Sequence, residues 1–110
     1  MYLPKTDVYN SLKTLGCYVS QTKPAEFTDL PVVVFNVGNN AVSTDLDGAI
    51  LSQNIEIQID IWAEDSVSAS ALLSQVEEIM RSNLYIMSFS NDVPNVGNLY
   101  HTVWRFAKLI

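Results

Sequence analysis

The chain has 110 residues, 48% of them apolar and 16% charged, and its six Lys and Arg against twelve Asp and Glu leave a formal net charge of −6. That length suits one domain around one core, and the hydrophobicity excludes a disordered chain. The acidic balance argues against electrostatic attachment to nucleic acid or an anionic membrane, which needs clustered cations, whereas Lys5, Lys13, Lys23, Arg81, Arg105 and Lys108 are scattered.

Residues 4–15 begin the pattern. Val8, Leu12 and Leu15 share one helical face, Thr6 or Asp7 offers an N-terminal cap, and Gly16 supplies a left-handed stop. The opening MYLPKTDVYN has no basic segment followed by a long apolar run. No stretch reaches the ~18–20 apolar residues of a membrane span. The expectation is a soluble protein of a reducing cytoplasm. Cys17 is the sole cysteine and reads as a small, partly buried hydrophobe beside the first helix.

Residues 17–20 offer the start of a strand before a polar stretch, 21–29, that reads as loop. Val32-Val33-Val34-Phe35-Asn36-Val37 is apolar on both alternating faces and predicts a well-covered strand. The segment 38–53, GNNAVSTDLDGAILSQ, is the least patterned part of the chain. It is either a long functional loop or a hairpin arm in which 41–44 and 50–53 continue the flanking strands. Ile55, Ile57, Ile59 and Ile61 then alternate with Glu56, Gln58 and Asp60, which predicts a strand with one buried face and Trp62 on its polar face.

Asp65 or Ser66 caps a second helix whose stripe is Ala69, Leu72, Leu73, Val76, Ile79 and Met80, with Asn83 as its left-handed terminator. A strand is expected at 84–89, a loop at 90–98, and a last strand at 99–109. The order is α-β-β-α-β-β, with room for one short strand after the first helix. It predicts an α+β domain: a mainly antiparallel sheet of four to five strands packed with two helices.

Residues for catalysis are sparse. His101 is the sole histidine and Cys17 the sole thiol, which leaves no paired-histidine or thiolate zinc site. A Cys17–His101 nucleophilic pair lacks any indicated orienting group, and strand alternation puts His101 at a surface or interface. Glu56 and Asp60 stand about 13 Å apart on an extended strand, too far for a glycosidase pair. Glu77 and Glu78 diverge on their helix. Asp45-Leu46-Asp47-Gly48 lacks the spaced donors and distal glutamate of a calcium loop. The sequence therefore predicts no enzyme, no metal and no cofactor. Tyr85, Phe89, Tyr100, Trp104 and Phe106 read mostly as core, with some of them, or Trp62, left for contact with another subunit.

The order of segments resembles a known family. A helix ends at Leu15-Gly16, and Pro31-Val32-Val33-Val34-Phe35 precedes the long segment. The isoleucine strand closes as IQIDIWAED at 57–65, a helix ends near Met80, an acidic loop surrounds Asp92, and the chain closes on LYHTVWRFAKL at 99–109. Over nearly its whole length this is similar to the tail-terminator and tail-completion proteins of long-tailed phages and related prophages. The resemblance implies a virion protein of the tail or neck, assembled in the bacterial host cytoplasm. It would form a homo-oligomer, typically a hexameric ring, that stops growth of the tail tube and joins it to the head-connector protein. DNA would pass through the ring without being specifically bound.

On that reading, the residues expected at assembly contacts are Asn39, Asn40, Val42, Asp45, Asp47, Ile50, Trp62 and His101. Asp45, Asp47, Glu56 and Asp60 are the acidic residues expected near the channel. Two alternatives stay open. One is another neck or tail component, such as a head-completion protein or tail-tube subunit. The other is a non-viral binding module with a small-molecule pocket under the long segment.

Overall fold

The structure, a computed structural model, describes residues 4–21, 31–93 and 100–109; the side chains of Asn39, Ile50, Leu51, Phe89 and residues 91–93 lie outside that description. Helix α1 (Pro4–Leu12) runs into a 3₁₀ turn (Lys13–Leu15) and is followed by strands β1 (Tyr18–Ser20), β2 (Val32–Thr44) and β3 (Ile50–Ala63). Helix α2 (Ser66–Ser82) leads to β4 (Ile86–Val93) and β5 (Tyr100–Leu109). The five described strands form one sheet in the order β1-β2-β3-β5-β4. No helix among the described residues is long and apolar enough to cross a membrane.

The fold is α+β with two helices and a mixed sheet. The expected order needs correction at β1, which is short but pairs in parallel with Val32, Val33 and Val34. Three residues are too few to show a period, so this strand exists through its partner rather than through its own pattern. A second correction falls on β4. The structure extends this strand to Val93, through part of the expected loop, by pairing Ser90, Asn91, Asp92 and Val93 with Trp104, Val103, Thr102 and His101. Backbone pairing carries these polar residues. The rest of that expected loop, 94–98, and residues 22–29 lie outside the described residues.

Strand β3 organises the core. Ile55, Ile57, Ile59 and Ile61 are wholly buried, together with Val33 and Phe35 of β2 and Phe106 of β5. Val8 and Leu12 of α1, and Leu72, Val76 and Met80 of α2, close over this face. Burying each large aliphatic side chain contributes about 1.5–3 kcal/mol, which lets packing hold two modest helices. Cys17 packs partly buried against the same cluster, and burial raises its thiol above the usual range.

The helix ends follow local hydrogen bonding. Asp65 caps α2, its Oδ1 accepting from the Ser68 amide at 2.7 Å, and these Ser68 bonds hold its carboxyl below the usual range. Thr6 and Asp7 are not caps, because α1 already begins at Pro4. Gly16 takes φ +75° and stops the first helical segment as expected.

Asn83 is not left-handed, with φ −92°. Its side chain instead donates to Ser11 Oγ at 2.9 Å and to the Ile79 carbonyl at 3.1 Å, tying the end of α2 to α1. Leu84 takes the left-handed position at φ +67°. Its amide donates to the Arg81 carbonyl, and the Tyr85 amide to that of Met80, both at 2.9 Å, a Schellman closure that delivers Tyr85 into the core. Leucine is strained in this conformation, and its side chain is 74% exposed. Leu84→Gly should therefore raise unfolding stability by about 0.5–1 kcal/mol in urea denaturation, with an unchanged m-value.

Candidate assembly interface

The long segment 38–53 is the distal part of the β2–β3 hairpin. Strand β1 covers β2 only as far as Val34, and β5 leaves β3 at the pair Asn54–Leu109. Beyond those points the described chain is a two-stranded ribbon, with a register shift between Ser43 and Thr44 near its tip. Three further residues of β2, Val42, Ser43 and Thr44, carry it roughly 10 Å past the covered sheet before the turn at 45–49. The radius of gyration is 15.2 Å, against about 13 Å for a compact chain of this length. The arm accounts for that excess.

Its tip is a built turn. The Asp45 amide donates to the Ala49 carbonyl at 2.9 Å, and Asp45 Oδ1 accepts from the amides of Asp47 and Ala49, both at 2.9 Å. Gly48 supplies φ +84°, which few other residues adopt. Leu46 stands fully exposed at the end, and Val42 is 39% exposed along the ribbon. At the base, buried Gln53 donates to Asn40 Oδ1 at 2.8 Å. Asn39 pairs with Glu56 and Ile50 with Thr44 through the backbone, while the side chains of Asn39 and Ile50 lie outside the described residues.

Trp62 and His101 lie elsewhere. They face each other across β3 and β5 on the sheet face away from the helices, with rings stacked at 4.2 Å and 17°. His101 Nε2 lies 3.3 Å from Asp60 Oδ2, both side chains 17% exposed, and Asp60 Oδ1 accepts from Gln58 Nε2 at 3.1 Å. Trp62 is only 8% exposed and clusters with Val32 and Val34. It therefore offers little contact surface, contrary to its expected role; cross-strand stacking uses its ring inside the subunit. From Ile50 to Trp62 along β3 is roughly 40 Å. The residues expected at one interface thus divide between two ends of the molecule.

The four channel candidates divide as well. Asp45 and Asp47 are at the arm tip, and Glu56 and Asp60 in the body of the sheet. Asp45 holds the turn and Asp60 holds Gln58 and His101, so both carboxylates have structural partners. Asp47 and Glu56 remain exposed, but Arg105 lines the same depression as Glu56 and places a cation beside it.

Gln58, Gln53 and Leu46 were not among the expected site residues. Period-two alternation puts Gln58 with Asp60 and Trp62, but only the β3–β5 register reveals that His101 joins them. Among the described residues, no three His, Cys, Asp or Glu side chains gather to hold a metal. Depressions of about 540 Å³ between Thr6, Tyr9, Val19 and Phe35 and of about 270 Å³ between Pro4, Thr6, Val37 and Asn40 flank α1, the second at the base of the arm.

No family model and no curated protein sequence matches this chain. The geometry stands on its own: an α+β domain with a projecting hairpin arm and a polar, aromatic stack at its far end.

Asp45→Ala should remove two tip bonds far from the core. The expected result is faster amide exchange confined to residues 45–50, with global unfolding stability unchanged within about 0.5 kcal/mol.

Proposed function

We propose that this chain is an assembly subunit, a structural protein whose work is contact rather than catalysis. Within that class the reading it supports best is a tail-terminator or tail-completion protein of a long-tailed phage or prophage. It forms a hexameric ring in the virion, ends the tail tube and meets the head connector.

The observation that carries this reading is the arm. A two-stranded ribbon is marginally stable in water, and residues 41–49 are exposed throughout. The folded tip nevertheless presents a defined surface, with Leu46 at its end. Such a feature serves a partner more readily than a core. The segment order described from the sequence adds the family, and the net charge of −6 suits a ring that DNA traverses without adhering.

Native mass spectrometry across a concentration series, with electron microscopy of the large species, tests the ring. Closed rings of about six subunits with a central opening are expected. A monomer at every concentration would count decisively against the ring reading.

Replacing residues 42–53 by an Asn-Gly turn, which joins the existing pair Ala41 and Asn54, tests the arm. That turn suits a two-residue hairpin, so circular dichroism and cooperative unfolding should be retained. Complementation of a phage lacking the native gene should fail at head–tail joining. Normal phage yield from the arm-less protein would remove the arm from the mechanism.

A further inference from the structure

Among the described residues two stretches of the sheet margin have no strand beside them, and their chemistry is complementary. Strand β4 is the outer strand on one side. On the other side β1 covers only Val32, Val33 and Val34, so β2 from residue 35 onward pairs on one side alone among the described residues. Each such edge presents alternate amides and carbonyls with no strand partner among the described residues.

Both edges carry a regular run of equal length. Past the irregularity at Gly38, residues 39–43 of β2 make five consecutive pairs with β3. Past the irregularity at Ser88, residues 89–93 of β4 make five consecutive pairs with β5. The irregularities thus lie at the ends of these runs, at Gly38 and after Ser43 on β2 and at Ser88 on β4, and leave the five paired residues of each regular enough to accept another strand.

Edges that stay solvated are usually guarded by lysine, other charges or proline. Here the stretch FNVGNNAVST at 35–44 has no charged residue and no proline, and IMSFSNDV at 86–93 has one aspartate and neither lysine nor proline. Apolar side chains flank both runs. Val42 is 39% exposed on the arm, and Ile86 and Met87 are 75% and 40% exposed on β4.

We infer that copies of this chain join edge to edge, with β4 of one copy adding a strand to the arm segment of β2 in the next. Strand addition supplies backbone hydrogen bonds without a preformed pocket. The contact is heterologous, because joining like edges in a dimer would leave the other edge of each copy bare. Two different edges on opposite margins of one sheet propagate head to tail, and a fixed rotation closes the series into a ring. This inference rests on the ring reading and names the surface that makes the ring.

Cysteine cross-linking tests it. In a Cys17→Ser background the chain has no thiol. Ser90→Cys is placed on β4 in one preparation. Asn40→Cys, Ala41→Cys, Val42→Cys and Ser43→Cys are placed singly on the arm in four others, and Ser74→Cys on the exposed side of α2 serves as control. After mixing and mild oxidation, at least one arm variant should form a disulfide-linked dimer with Ser90→Cys. Its rate should be roughly a hundredfold above the Ser74→Cys mixture, because paired thiols meet at a high effective concentration.

Rings by native mass with no mixed cross-link at any arm position would overturn the edge pairing and leave the ring reading standing. Rapid dimers from Ser90→Cys alone would show like edges meeting, and would also overturn it. Monomers alone would remove both.

Discussion

Everything in this molecule hangs on the register of β3. Its four isoleucines are buried on one face, while Glu56, Gln58, Asp60 and Trp62 occupy the other, and a slip of one residue would exchange the two sets. Strand β3 lies between β2 and β5, so its register fixes both neighbours. Phe35 and Phe106 reach the core because they oppose Ile59 and Ile57. His101 meets Trp62 for the same reason on the opposite face. The helices then need only modest amphipathicity, since the sheet already presents the apolar surface that they cover.

The strong periods of the sequence were readable, and the weak ones were not. Alternation gave the faces of β3 and β5, and the stripe of α2 gave its buried side. The Asp65 cap and the Gly16 stop followed from residue chemistry. What failed was structure imposed by a partner. The short strand at 17–20 was legible, but its parallel pairing beside β2 was not, and residues 90–93 of β4, held by β5, had no pattern of their own. Asn83 failed differently. Its amide is more useful bonded to Ser11 across the helix pair than in a left-handed turn, and the strain passed to Leu84.

The candidate interface was legible as a list and not as a place. Length and polarity singled out residues 38–53, and they form the arm. Asp45 looked like a charge for a channel but serves as the clasp of its own turn. Trp62 looked like a contact and is a packed ring, because one residue of strand pairing decides whether an aromatic at a strand end faces solvent or a neighbour. Asp60 was counted as negative charge, yet its two oxygens engage Gln58 and His101. Sequence alone supplies neither cross-strand partner.

The long axis of the molecule, 53 Å against 24 and 22 Å, divides its surfaces by direction. The arm tip and the Trp62–His101 stack lie toward opposite ends of β3, while the edges of β2 and β4 that have no described strand beside them run along the sides. In the ring that we propose, these directions have different work. Lateral pairing consumes the two edges, which need backbone complementarity and the lack of guarding lysine or proline along 35–44 and 86–93. The ends are left for partners above and below, where specificity must come from side chains: Leu46 and Asp47 at the tip, and the polar network beside Trp62 at the other end. A subunit that capped a tube by its edges would have no edge left with which to close on its neighbours. In the ring that we propose, separating lateral closure from axial recognition would let one 110-residue chain do both.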